Sequence, residues 1–250
     1  MDFTIPKDIQ DYLAILDKFI ETDIKPLEEA DDNIRFFDHR REYARTDFEN
    51  QGLPRHDWEI LLGQARSKAD AAGHYRYALP TEFGGQNGSN LAMAVIREHL
   101  AKKGLGLHND LQNEHSIVGN MPIALLLRDF GTDKQKAELL PKSFTGEFIA
   151  TFGLTEPDHG SDATHMESTA VRETRDGIEG WLLNGMKMWI TGMHVATHCM
   201  MFARSSGKAG DAKGISCFFV PANDPGVKIE EYMWTFNMPT DHPRDRKSVV

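Results

Sequence analysis

The sequence predicts an α+β protein: an N-terminal helical bundle over residues 1–150, then an antiparallel β-barrel or sandwich domain over residues 151–250. Three observations predict it. Before residue 150 apolar residues recur at spacings of three and four, the stripe of an amphipathic helix. After it they alternate at a spacing of two, in short runs divided by turn residues. The chain has 250 residues, 40% of them hydrophobic and 26% charged, which suits one large or two small globular domains and not a disordered chain.

The helices come first. Ile9, Tyr12, Leu13, Leu16, Phe19 and Ile20 make one stripe. Pro54 opens a second pattern with Trp58, Leu61, Leu62 and Ala65, stopped near Gly73. Ser89 or Asn90 caps a third, with Leu91, Val95, Ile96 and His99, ended by Gly104. Ser116 precedes a fourth, with Ile117, Ile123, Leu126, Leu127 and Phe130, ended by Gly131. Thr132-Asp133-Lys134-Gln135 reads as a capping box for a short last helix. Residues 31–53 have no clear period and read as mixed loop and helix.

Strands follow. Ser168 to Thr174 is closed by Arg175-Asp176-Gly177. Trp181-Leu182-Leu183, Asn184-Gly185 and Met186 to Thr191 together give the strongest hairpin signal, because both turn residues tolerate positive φ. Cys199 to Arg204, Ile215 to Val220 and Val227 to Tyr232 complete the set. No closing element is recognisable after that.

Charge and targeting bound the function. The net charge is −10, from 38 acidic against 28 basic residues, which excludes broad electrostatic binding to nucleic acid or an anionic membrane. Cys199 and Cys217 cannot form a disulfide framework and suit a reducing compartment. The start, Met1 to Asp8, has neither the basic nor the apolar region of a secretory signal, and no run approaches the ~18 apolar residues of a membrane span. Lys247-Ser248-Val249-Val250 is no peroxisomal address. A cytoplasmic location is expected, with mitochondrial and peroxisomal ones left open.

Chemistry gathers in Leu154-Thr155-Glu156-Pro157-Asp158-His159-Gly160-Ser161-Asp162, where the helical half meets the first strand. Gly160-Ser161-Asp162 can aim successive backbone N–H groups at an anion such as phosphate. The same triplet also suits a plain linker turn. Two imidazoles in His194-Val195-Ala196-Thr197-His198 lack an acidic third ligand, so no metal is expected. His108 and His115, among Asn109, Asp110, Asn113 and Glu114, read as a solvated polar connection.

Several separated segments, in order, change the weight of that loop. Leu79-Pro80-Thr81-Glu82-Phe83-Gly84-Gly85, Gly131-Thr132-Asp133-Lys134-Gln135-Lys136 and Leu140-Pro141-Lys142 precede it. Asn184-Gly185-Met186-Lys187-Met188-Trp189-Ile190-Thr191, Gly214-Ile215-Ser216-Cys217-Phe218-Phe219-Val220-Pro221 and Pro225-Gly226-Val227 follow it. This series resembles the acyl-CoA dehydrogenase family over nearly all of residues 5–235. The resemblance implies FAD between the β domain and a C-terminal four-helix domain. It implies that Phe152, Leu154 and Thr155 line the flavin and that Ser161 meets the pyrophosphate, with Gly160 beside it a further cofactor-binding candidate. Trp189 would stand beside the isoalloxazine and Thr191 near N5. Ser161 is also a candidate substrate contact. Trp189, Phe152 and Leu154 equally suit core filling.

The reaction implied is α,β-dehydrogenation of an acyl-CoA thioester, with an electron-transfer flavoprotein or oxygen as acceptor and a homo-oligomer as the complete enzyme. The family's catalytic carboxylate lies in the C-terminal domain, so no catalytic residue is expected in this chain, which reads as truncated before that domain. Glu156 reads as a structural carboxylate. Asp241 to Lys247 departs from the family pattern. A shortened, non-catalytic binding module and an acyl-CoA oxidase-like enzyme are the alternative readings.

Overall fold

The computed structural model describes residues 3–110, 115–119 and 121–233, and the backbone of 243–249. The chain divides into two compact units, Met1–Asp47 with Pro54–Leu125, and Phe48–Leu53 with Leu126–Val250.

The first unit is helical. Helix α1 (Lys7–Phe19) turns its apolar stripe inward and runs through one π turn at Ile20–Ile24 into α2 (Lys25–Glu29). A 3-10 segment (Ala30–Phe36), α3 (Arg41–Arg45) and the two-residue strands β1 (Thr46–Asp47) and β2 (Leu53–Pro54) fill the region without a sequence period. Helix α4 (His56–Ala71) is followed by Gly73 at φ 80°. The Ser89 hydroxyl accepts from the Ala92 amide to cap α5 (Asn90–Lys102). Leu16, Ile20, Trp58, Leu62, Ile96 and Leu100 form the centre of one core.

Two expectations fail in this unit. The segment from Ser116 does not open a helix: β3 (Asn109–Asp110) pairs with β4 (His115–Ser116), and α6 (Pro122–Phe130) starts at the proline. Proline suits the first helical turn, whose N–H groups have no intrahelical partner. Nor are His108 and His115 solvated: both are buried, with Asn109 and Asp110. Asp110 is paired with Arg45 at 2.5 Å, and His115 is bonded by Arg66 and the Leu107 carbonyl. Asn113 and Glu114 lie outside the described residues.

In the second unit, α7 (Asp133–Thr145) carries the expected capping box between Thr132 and Gln135 and ends at Gly146 in the left-handed region. A sheet follows, of β5 (Ala150–Gly153), β6 (Thr169–Arg175), β7 (Ile178–Met188), β8 (His198–Arg204), β9 (Ile215–Pro221), β10 (Val227–Tyr232) and β11 (Pro243–Val249). Its order is β10–β11–β7–β6–β8–β5, with β9 on β8. Most ladders are antiparallel, but β5 runs parallel to β8, and β6 meets β8 in parallel at Thr169 and Arg204. The sheet is therefore mixed, and it does not close into a barrel. Strand spacing reveals strands, not their directions, and the long connection between β5 and β8 is what permits a parallel return.

The hairpin sits elsewhere than expected. Asp176 (φ 51°) and Gly177 (φ 79°) form the two-residue turn between Arg175 and Ile178, which pair across it. Asn184-Gly185 lies inside β7, opposite Thr169 on one side and β11 on the other. Gly185 serves a close approach there: a Cβ on it would stand 2.1 Å from Ser168 Oγ. Residues 243–249 supply the closing strand that the sequence did not announce; Asp241 and His242 lie outside the described residues.

Candidate functional site

Strand β5 reaches the site because Gly153 has no side chain. A Cβ there would stand 2.7 Å from Cys199 Sγ on β8. Past Gly153 the chain leaves the sheet through Leu154 and Thr155, both half-buried.

Glu156 then turns inward and anchors the loop. It is 4% exposed, and its partner Lys187 on β7 is 0% exposed. Lys187 Nζ donates to Glu156 Oε1 at 2.8 Å and to the Leu154 carbonyl at 3.0 Å. The Glu167 amide donates to Oε2 at 2.5 Å and the Ser168 amide to Oε1 at 3.0 Å. Burial pushes the carboxyl up, but the lysine and the amides outweigh it and hold it below the ordinary carboxylate range. A carboxylate held by three donors is an anchor, not a proton acceptor, so Glu156 has the structural role expected of it. Lys187 was not singled out as a site residue. Its signal lay in the period of two: Leu183, Gly185 and Lys187 share a face, and a lysine on a buried face requires an acceptor.

The other side of the site is the stretch after β7. The Met188 amide donates to the Thr155 carbonyl at 3.0 Å, which ties this stretch to the loop. Trp189 then takes φ 62° and is 43% exposed. Ile190 and Met193 are buried and hold the segment down, and Gly192 turns it at φ 78°. The Thr151 hydroxyl on β5 contacts Met193 Sδ at 3.5 Å. Phe152, 50% exposed, packs on Phe202 with ring centroids 4.8 Å apart.

Residues 151–155 and 188–193 thus run side by side. The first segment carries Phe152, Leu154 and Thr155 and the second Trp189 and Thr191; Phe152 alternates with Thr151 and Gly153 and packs its ring on Phe202. Thr191, half-buried, does not end a strand as expected: β7 stops at Met188, because the left-handed turn at Trp189 breaks the ladder.

Gly160 and Ser161 are exposed farther along the loop. Gly160 is not among the glycines at positive φ, so the αR–αL alternation of an anion nest is absent there. The Asp162 carboxylate accepts from the Thr164 hydroxyl and bonds His165 Nδ1, each at 2.6 Å. A cavity of about 320 Å³ opens beside the loop, lined by Glu156, Asp158, His159, Glu167 and Asn184 among others, but not by Ser161, Phe152 or Trp189. Among the described residues no group of three His, Cys, Asp or Glu is placed to hold a metal. No helix among them is long and apolar enough to cross a membrane.

Comparison with known proteins agrees with this architecture. Residues 30–147 match the family model of the acyl-CoA dehydrogenase N-terminal domain, and residues 151–241 that of the acyl-CoA dehydrogenase middle domain. A glutaryl-CoA dehydrogenase of Desulfococcus multivorans is 29% identical over 231 residues, 91% of this chain and 51% of the relative. A (2S)-methylsuccinyl-CoA dehydrogenase of Cereibacter sphaeroides is 38% identical over 194 residues, 74% of this chain and 33% of the relative. The crystal structure of a Mycobacterium smegmatis glutaryl-CoA dehydrogenase in complex with FADH2 superposes with a TM-score of 0.61 at 25% identity, over 98% of this chain and 53% of that one. The chain spans about half the length of the first relative and a third of the second.

Proposed function

The chain belongs to the acyl-CoA dehydrogenase family, and from that premise we propose that it supplies the helical domain (1–150) and the FAD-binding domain (151–250) of an α,β-dehydrogenase of acyl-CoA thioesters. When bound, FAD supplies the acceptor for the substrate's β-hydride.

What supports this reading is the edge formed by 151–155 running beside 188–193, which carries the exposed rings of Phe152 and Trp189 and the half-buried Thr155 and Thr191. That donor set fits a flavin. Flat aromatic walls suit a planar ring, and short hydroxyls suit its polar rim. Trp189 holds one wall and excludes water from it, while Thr191 and Thr155 offer hydrogen bonds that fix the ring. Lys187 and Glu156 do not touch the cofactor; they position the loop that presents Thr155. Gly160 and Ser161 are assigned to the pyrophosphate, with Ser161 also near substrate.

No catalytic base is assigned among these residues, since Glu156 is neutralised by its partners. The chain alone is therefore inactive, binds FAD loosely, and contributes to turnover only with further residues such as its longer relatives carry. The acceptor, an electron-transfer flavoprotein or oxygen, and a homo-oligomeric complete enzyme are part of the same proposal.

The test is an FAD titration of the 250-residue chain, followed by tryptophan fluorescence. Saturable, weak quenching is expected, most of it lost in Trp189→Phe, with Thr191→Ala weakening the affinity further. Tight binding unaltered in both variants would overturn the residue assignment, and an absence of quenching at any concentration would overturn the cofactor.

A further inference from the structure

The helical unit holds a second feature that the flavin reading does not use. A cavity of about 200 Å³ is lined by Arg66, Tyr75, Arg97, Ser116 and Gly119, with Met121 and Pro122. Arg66 comes from α4 and Arg97 from α5, so two helices each place an arginine against one space.

Neither guanidinium is paired with a carboxylate among the described residues, and the sole described hydrogen bond of either is Arg66 Nε donating to His115 Nδ1 at 3.3 Å. That bond fixes the imidazole. An arginine donates only, so Nδ1 accepts; His115 Nε2 then carries the proton and donates to the Leu107 carbonyl at 2.9 Å. His115 is neutral in this arrangement, and burial, with Arg66 and Arg97 nearby, drives its pKa down to about 3. It orients Arg66 but cannot balance its charge. Burial also lowers the pKa of Arg97, with the Tyr75 side chain acting the other way.

The wall opposite is built for close approach. The Gly119 amide donates to the Tyr75 carbonyl at 3.0 Å, and a Cβ on Gly119 would stand 2.8 Å from that oxygen. A half-buried guanidinium without an anion is a costly arrangement, and two around one cavity cost more, unless an anion completes it.

We infer that this cavity is an oxyanion site, in which Arg66 and Arg97 grip a carboxylate- or phosphate-bearing small molecule and Tyr75 and Ser116 add hydroxyl donors. Arginine forks match the planar carboxylate and the phosphate face alike. None of these residues belongs to the flavin edge, so the site stands or falls apart from the FAD reading.

The test is calorimetry on the full 250-residue chain at low ionic strength, with inorganic phosphate in one arm and succinate in the other. Saturable binding is expected in at least one arm, and the arm that responds names the ligand chemistry. Arg97→Gln and Arg66→Gln should each weaken it about tenfold or more, with the far-ultraviolet spectrum unchanged. Arg97→Met should melt no lower than the parent without anion, yet lose the anion-induced rise in Tm; this readout separates a ligand site from a structural arginine. Failure of both arms at millimolar anion, or equal binding in the glutamine variants, overturns the inference. So does Glu114→Gln creating binding that the parent lacks, since the chain's own carboxylate would then be the occupant.

Discussion

Trp189 holds φ 62°, a backbone region that costs a bulky residue ~1–2 kcal/mol, and it does so half in solvent. Strain with no burial to offset it is in keeping with the flavin-wall role proposed for Trp189. Because the ring is 43% exposed, Trp189→Ala should cost about 1 kcal/mol or less, far below the ~3–5 kcal/mol of a buried aromatic. Thr191→Ala should cost as little, and under the proposed flavin role both should slow flavin reduction by acyl-CoA in a full-length protein that carries this chain. Rapid-reaction kinetics beside a thermal melt checks this, and reduction at the parental rate would remove the flavin role. Lys187 behaves oppositely. Lys187→Met leaves Glu156 charged and buried without its cation, at ~3–5 kcal/mol, and adding Glu156→Gln should restore much of it. The pH sign follows from the same pair. The folded carboxyl sits below its ordinary value of 4.5, so its contribution is full above that pH and fades as pH falls through the lower folded value. Urea midpoints between pH 6 and pH 3 should drop less steeply in the double variant than in the parent.

At the scale of elements, the helices were legible because each carried a stripe and a stop. Ser89, Thr132 with Gln135, and the glycines 73, 104 and 146 mark ends that local chemistry alone decides. The strands were legible as strands. Their partners were not, because pairing direction depends on distant segments, as β5 on β8 shows. Asn184-Gly185 has the composition of a turn, and the turn formed instead at Asp176-Gly177, where both residues take positive φ. What sequence inspection lacks is Ser168, whose side chain occupies the space a Cβ at position 185 would need. Gly185→Ala should therefore destabilise the sheet by roughly 1–3 kcal/mol through overpacking, and Ser168→Gly in the same chain should recover part of the loss. Gly180→Ala, on the same strand with open space around its Cα, is the control, expected to stay near the parent. Family resemblance named Phe152, Leu154, Thr155, Trp189 and Thr191 as candidates, and their flavin roles stand as the proposal made above. The anchor of that loop was not legible, since the pairing of Lys187 with Glu156 is a contact across the sheet.

For the whole molecule, exposed apolar side chains set the behaviour in solution. In the sheet unit, Phe130, Ile149, Phe152, Val171, Ile178, Trp189, Val195 and Ile229 are all more than a third exposed. Scattered apolar residues are ordinary on surfaces, but this number on one compact unit favours association. The chain alone should self-associate as concentration rises, by light scattering after size exclusion. A single monomer mass at every concentration would contradict this.

Asn184 has a further consequence, in time rather than in stability. An asparagine before glycine is prone to cyclise through the next backbone nitrogen, which turns its amide into aspartate or isoaspartate. That ring closure needs a bent, mobile backbone. In β7 the pair lies extended, with Asn184 opposite Thr169 on one side and Ser248 on the other. The intact strand should age slowly, and each conversion should record a moment when the sheet opened locally. Mass spectrometry of stored protein would read that clock, and it should run faster in Gly180→Ala only if that substitution loosens the strand.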